Sequence, residues 1–543
     1  MIMSCSFSCK IKLSLQIIIS CLFLGIGTKF SWLVYSQDCS PVRWSQGALP
    51  GYCTVFNSVC VDHGSRIVLH EERFQIDNIA RENTPGLPII RWNLPLRFGA
   101  FPDALGGWQP DFSIHVRPAS KVEPTLPLRH PSWNNCTLPV VLLVDYPYDY
   151  KTFVVKALTD IDKIFRVRAL APEEDPTLVL ATPAGLALEP YHAVLLSPYS
   201  RLPVATLAEL GRRAMDGTLA EWSREGVRVH CFSQLLACKL DQQEGTAPHV
   251  AAAAVLTHLG DIVPTDPLDF GVLPPGVLRV VVEDRIGSWR TIRNVQQILG
   301  ACKEADAKGF SAGGFTRIIC KSLPVSYDTS PPAVGPISTA SPAAAAFLAK
   351  VGAVRSAHLF VSMVGSNGAH AFFMDHDPAN GGAGLVEVRP CRWGSEHASR
   401  ADGAAEAMAA QLQRDDTIRF FAYNVEDASQ CSPPDYERQL AAALATGQMK
   451  PQATAHNSQL KSSPRYTPEE LLVRDQHVTL RPGTLMAMLR HAASLLHDKV
   501  AYQSARSMNR LHGYAVPEGL LLGPLGLRNA AAQTSGYELI RET

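Results

Sequence analysis

Arg285, Arg290 and Asn294 follow a β-branched run, Val277-Leu278-Arg279-Val280-Val281-Val282-Glu283, and lead into an apolar helical pattern over 292–307. Gly365-Ser366-Asn367-Gly368-Ala369 holds the equivalent place after a second short apolar run over 358–364. In open α/β sheets, ligands bind beyond the carboxyl ends of the strands. Small residues at the start of a helix let backbone N–H groups approach an anion. Two arginines on a neighbouring strand end supply the paired donors that a diphosphate needs. The chemistry expected from this combination is nucleotide binding without a metal, although a tight turn flanked by solvated arginines fits the same spacing. Asp145 and Asp149 follow a third apolar run, over 138–145. A carboxylate there can serve as a general base or simply cap the helix that follows.

These groups need elements to hold them, and the chain supplies an alternation of short buried strands and helices. In the first half the pattern predicts strands over 138–145, 177–182, 192–196 and 227–232, with helices over 153–165 and 206–214. The same grammar restarts with strands over 277–283, 315–320, 358–364 and 385–388 and helices over 292–307 and 343–351. Residues 322–342 carry five prolines with serine and alanine, which predicts a surface insertion. Later helices are expected over 404–412, 436–445 and 485–496, and 447–468 reads as a polar loop. The expected architecture is therefore α/β, with two lobes joined near 264–275.

Composition narrows the classes further. With 543 residues at 46% apolar, the chain is long enough for more than one packed domain. Fifty basic and fifty acidic residues cancel, which argues against nucleic acid as a partner held by bulk positive charge. No 20–50-residue repeat, P-loop or G-x-S-x-G elbow is present, so solenoid, NTPase and serine-hydrolase readings lack support. Two D-x-D triplets, Asp160-Ile161-Asp162 and Asp375-His376-Asp377, arise too cheaply to mark a metal site, and none is expected.

The N-terminus bears on location. Lys10 and Lys12 precede an apolar stretch that runs over 13–35, interrupted by Lys29. Crossing the bilayer core takes about 20 residues, so the favoured reading is an uncleaved signal anchor with its lysines on the cytosolic side. A cleaved signal peptide, cut near Val34 and Ser36, is the alternative. Either sends the remainder into the secretory lumen. Ten of the 13 cysteines follow this stretch, and Cys39, Cys53 and Cys60 suggest a disulfide-tied stem whose pairing cannot be read. Asn135-Cys136-Thr137 is a glycosylation sequon in that setting.

Four segments, in order, resemble glycosyltransferase family 61. Arg279 to Arg285 followed by Arg290-Thr291-Ile292-Arg293-Asn294 is similar to the family's arginine-x-x-x-x-arginine-x-isoleucine-x-asparagine signature. The run from Val364 to Met374 resembles its histidine-glycine-alanine loop and apolar helix. Leu385-Val386-Glu387-Val388-Arg389-Pro390 resembles its leucine-valine-glutamate-isoleucine-x-proline strand, and Val229-His230-Cys231-Phe232 its cysteine-phenylalanine strand. Two family histidines are replaced: Asn367 stands for one, and Asp149-Tyr150-Lys151-Thr152 lacks the other.

The resemblance implies two Rossmann-like lobes in the GT-B arrangement, behind an N-terminal membrane anchor and a cysteine-containing stem. It implies inverting, metal-independent transfer of a sugar from a UDP-sugar, xylose or N-acetylglucosamine favoured, to a hydroxyl of a glycoprotein glycan or polysaccharide. Arg285 and Arg290 would hold the diphosphate and Asn294 would brace the turn. Gly365, Asn367, Gly368 and Ala369 would line the nucleotide, and Glu387 would accept from ribose hydroxyls. With the histidines replaced, Asp149 or Asp145 remains as base; a binding-only descendant of the fold is the alternative. The expected organisation is a cytosolic tail and anchor over 1–36, a luminal stem over 37–137 and an acceptor-side lobe over 138–270. A nucleotide-sugar lobe over 271–500 and a tail over 501–543 complete it, giving a single-pass type II protein of the Golgi or endoplasmic reticulum membrane.

Overall fold

The computed structural model describes residues 53–62, 66–69, 115–118, 133–134, 137–144, 147–167, 176–182, 187–200, 202–210, 229–240, 247–286, 290–326, 341–376, 382–393, 412, 417–434, 437–446, 472–508 and 514–517. The expected membrane segment over 13–35, Cys39, Asn135, Asp145, the helix over 404–412 apart from Leu412, and the loop over 447–468 lie outside them. Among the described residues, no helix is long and apolar enough to cross a membrane.

The fold is mixed α/β and built on two sheets. In the first, β1 (Cys53–Asp62), β2 (Arg66–Leu69), β3 (His115–Pro118), β4 (Trp133–Asn134), β5 (Leu138–Leu143), β6 (Pro176–Leu180), β7 (Ala205–Thr206) and β8 (Val229–Lys239) pair in the order β3-β2-β1-β8-β5-β6-β7, with β4 also on β8. Only β1 runs against its neighbours. The second sheet is parallel throughout. It orders β9 (Val277–Ile286), β10 (Arg317–Ser326), β11 (Leu359–Met363), β12 (Ala383–Arg389), β13 (Ile418–Asn424) and a later strand, Tyr514–Pro517, as β10-β9-β11-β12-β13 and then that strand. Strands covered on both faces read as continuous apolar runs, which is why β5, β9, β11 and β12 stand out in the sequence.

Helices fill the space between the sheets. A continuous run of α and π turns covers 150–167, and Pro190–Leu196, Pro248–Leu259 and Pro342–Arg355 follow along the chain. Each of the last three begins on a proline, whose missing N–H costs nothing in the first turn. Their apolar faces share one core with inward residues of both sheets, among them Val140, Leu178 and Leu236 from the first and Val281, Phe360 and Leu385 from the second. Alternate residues of the second sheet, such as Val280, Val361 and Val386, face a separate core completed by the helices Val295–Ala307 and Pro482–Leu496.

Several local expectations are corrected. Residues 192–196 are helical, not extended. Glu189 N–H donates to His192 Nδ1 and thereby starts the helix Pro190–Leu196, and a short apolar run cannot by itself tell strand from buried helix. The expected insertion over 322–342 begins later, because β10 continues to Ser326 and pairs with β9 along its length. Pro324 is tolerated since β10 is an edge strand. Cys53–Asp62, inside the expected stem, is instead an inner strand, and Cys53 is disulfide-bonded to Cys238 of β8. Tyr514–Pro517, inside the expected tail, extends the second sheet.

Candidate functional site

The site is built at the carboxyl end of the second sheet, starting from a carboxylate. Glu283 is fully buried on β9 and takes four hydrogen bonds. Arg285 Nε donates to its Oε1 at 2.7 Å and Asn367 Nδ2 to the same oxygen at 2.5 Å. Ser362 Oγ and the Met363 N–H donate to Oε2 at 2.8 and 3.0 Å. Burial alone would raise the Glu283 pKa, but the adjacent Arg285 charge and the donated hydrogen bonds outweigh it and hold the carboxyl below its ordinary value. Residues two apart on a strand share a face, so Arg285 stands beside Glu283, one step closer to the strand end. Its Nη2 donates to the Met363 carbonyl at 2.9 Å.

Arg290 reaches the same place from the loop after β9. Its Nη1 donates to the Val364 carbonyl at 3.2 Å, and its Nε lies 3.2 Å from Asp475 Oδ1. The Arg290 backbone has φ of 59°, a left-handed conformation that costs a non-glycine residue energy and is found where surrounding structure demands it. Asp475 supplies part of that demand, because its carbonyl accepts the Arg290 N–H at 3.2 Å. Gly365 completes the group at φ of 148°. A β-carbon added there would stand 3.1 Å from Arg290 Nη1 and 3.3 Å from Arg285 Nη2. Two guanidinium groups therefore converge on the bare face of one glycine.

The remaining expected residues fall into four positions. Asn367, on the 3₁₀ segment Ser366–Phe373, holds Glu283 rather than facing outward. Asn294 does brace a turn: its Nδ2 donates to the Leu480 carbonyl at 2.7 Å, and the Leu480 N–H returns a bond to its Oδ1 at 3.0 Å. Gly368 and Ala369 are buried, and Ala369 packs in the shared core. Glu387 is buried on β12, where its Oε1 accepts from Arg389 Nε at 2.9 Å.

Asp149 comes from the other half of the chain. Its Oδ1 caps the helical run over 150–167 by accepting from the Thr152 N–H at 2.8 Å. Its Oδ2 accepts from Ser366 Oγ at 3.1 Å. The glycine loop and the first helix are thus tied through one carboxylate. Asp160 and Asp162, the first D-x-D pair, are buried on that helix.

Four contributors were not singled out from the sequence. Glu283 and Arg389 belong to a repeated pattern, Glu283-Asp284-Arg285 and Glu387-Val388-Arg389, whose i, i+2 spacing on a strand is the signal that could have found them. Asp475 is far away along the chain and carries no local signal. His370 sits three residues beyond Asn367. Its Nδ1 donates to the Asn367 carbonyl at 2.9 Å, its ring packs 4.7 Å from that of Tyr150, and burial pushes its pKa down to about 4. Compared with known proteins, the chain matches no protein-family model and no curated protein.

Proposed function

We propose that the chain is a glycosyltransferase that moves a sugar from a UDP-sugar to a hydroxyl of a glycoprotein glycan or polysaccharide, inverting the anomeric centre without a metal. UDP-xylose and UDP-N-acetylglucosamine are the favoured donors. The observation that carries the reading is the convergence of Arg285 and Arg290 on the side-chain-free face of Gly365. In the transfer, the acceptor oxygen bonds to the anomeric carbon while the bond from that carbon to the diphosphate oxygen breaks. The electron pair leaves on UDP, and the acceptor proton passes to a base. Fixed guanidinium groups stabilise the negative charge that develops on the departing diphosphate. Asp149, tied to the glycine loop through Ser366, is the carboxylate assigned as base. In this reading the two sheets belong to the lobes of a GT-B arrangement, anchored as a type II protein in the Golgi or endoplasmic reticulum membrane. Disulfides among the described residues, such as Cys53–Cys238, Cys302–Cys320 and Cys391–Cys431, suit an oxidising lumen.

The full-length protein is expected to melt several degrees higher with excess UDP and no added metal, because a ligand at about 100 times its Kd adds about 2.7 kcal/mol. Arg285→Ala should abolish the response. A wild type that UDP does not shift, or an Arg285→Ala variant that UDP shifts as much as the wild type, defeats the proposal. A screen for free UDP released from different UDP-sugars identifies the donor.

A second reading has its own support: both Asp149 oxygens already accept hydrogen bonds, and the family histidines are replaced. On that reading the chain binds a nucleotide or carbohydrate and transfers nothing. Asp149→Asn separates the two. An enzyme with Asp149 as base loses about 10²–10⁴-fold in kcat while still binding UDP, whereas a binding protein releases no UDP from any donor in either form.

A further inference from the structure

The loop that carries Arg290 is held by a strap from far along the chain, residues 475–480. The Arg290 N–H donates to the Asp475 carbonyl at 3.2 Å, the Val478 N–H to the Thr291 carbonyl at 2.8 Å and the Arg293 N–H to the Val478 carbonyl at 2.8 Å. Thr291 Oγ1 and His477 Nδ1 lie 2.7 Å apart, and the Asn294 amide closes the far end on Leu480. Arg290 is left-handed, with φ of 59°, and such backbone persists only where its surroundings over-determine it. Whatever fixes the strap therefore also fixes where the Arg290 guanidinium points. The other edge of the strap is tied down in turn. Its strand His477–Val478 pairs antiparallel with Cys431–Ser432, with Cys431 opposite Val478. The Thr479 N–H donates to the Gln430 carbonyl at 2.7 Å, and Arg481 forms an ion pair with Asp427. Cys431 is disulfide-bonded to Cys391, just beyond the end of β12. An unbroken series of contacts thus runs from the sheet through the disulfide and the strap to Arg290.

We infer that the Cys391–Cys431 disulfide is a positioning device for the arginine pair, locking the strap that aims Arg290 at the bare face of Gly365. It rests on the reading of that pair as a diphosphate site. Coupling of this kind is reciprocal: a bridge that raises the affinity for UDP is protected by UDP to the same extent. Cys391 is buried, but Cys431 is only partly so, which leaves the bridge open to a dithiol. Reduction breaks the S–S bond and leaves two protein thiols. The two electrons and two protons come from the dithiol, which closes to its own cyclic disulfide. Cys302–Cys320 takes no part in these contacts and serves as the control.

Calorimetric titration of the full chain with UDP tests it. UDP is expected to bind about tenfold more weakly to the Cys391→Ala/Cys431→Ala double variant and with unchanged affinity to Cys302→Ala/Cys320→Ala. The unaltered protein is also equilibrated in dithiothreitol redox buffers, with each bridge followed by alkylation and peptide mass spectrometry. Saturating UDP should move the Cys391–Cys431 midpoint to a more reducing potential by the same tenfold factor, about 30 mV for a two-electron couple. The Cys302–Cys320 midpoint should stay where it is. Should the double variant fail to fold, the midpoints of the unaltered protein decide alone. Undiminished UDP affinity without the Cys391–Cys431 bridge, or a midpoint shift that is absent or equal at both bridges, overturns the positioning role and leaves the transferase reading intact. Failure of the unaltered protein to bind UDP overturns both.

Discussion

Gly365 has no side chain, and that vacancy is what allows two cations to lie together at one loop. The gain is local and so is the vulnerability. A methyl group there would press on both guanidinium groups and would force an alanine into φ of 148°. Such strain costs about 1–3 kcal/mol. Gly365→Ala is therefore expected to lower stability by that amount in urea unfolding and to weaken UDP binding by at least about tenfold in calorimetry. A variant that folds and binds UDP as well as the wild type removes Gly365 from the site. Glu283 works differently. Its four donors hold it ionised beneath Arg285, so it positions the arginine rather than meeting a ligand. The two arginines and the glycine are recognisable from residue type alone. The carboxylate beneath them is not, because its role comes from the neighbouring strands that donate to it.

At the scale of elements, the helix Val295–Ala307 and the edge strand β10 are stapled by Cys302–Cys320. The bridge closes a loop of 18 residues, for which chain entropy predicts a contribution of about 2–4 kcal/mol. Replacing both cysteines by alanine should reduce the urea-unfolding free energy by that amount. UDP affinity should stay unaltered, since Arg285 and Gly365 hang from β9 and β11 rather than from the stapled edge. Unchanged stability in the double variant contradicts the assignment of the bridge as a staple. Elements built on largely apolar runs, such as β9 and β11, could be read directly. The helix Pro190–Leu196 could not, because five apolar or aromatic residues satisfy either period, and the His192 ring that accepts the Glu189 N–H is itself held by the Pro147 carbonyl, 45 positions away.

For the molecule as a whole, the shared core has consequences for cooperativity and for pH. Tyr150 and Tyr191 from the first half pack with Phe347 and His370 from the second, with ring centres 4.7–6.4 Å apart. The two halves are therefore expected to unfold together, as one calorimetric transition; two resolved peaks contradict this. Among the described residues, burial favours the neutral form of His192, His370 and His491. Burial lowers His192 to about 3 and His370 and His491 to about 4, against an ordinary 6.5. The unfolded chain then binds more protons than the folded one between pH 6.5 and 4, so stability is complete above 6.5 and declines as the pH falls through that window. Glu283, whose pKa is depressed, adds a further loss below the ordinary carboxylate range. The melting temperature should fall steadily from pH 6.5 to 4, and His491→Leu should flatten the slope. A flat profile shows that these rings are not buried neutral.

The sequence by itself determined the α/β alternation, the short buried strands and the presence of arginines after one strand and a glycine loop after another. Each is written in residue type and near-neighbour spacing, which local sterics and hydrophobic periodicity translate directly. Only the tertiary structure decided which groups meet. Asp475 reaches Arg290 across 185 positions, Asp149 meets Ser366 across 217, and Arg389 lies beside Asn424 because two parallel strands share a register. Such contacts follow from how strands order in a sheet and how a core closes, and long-range packing of that kind leaves no periodic trace along the chain.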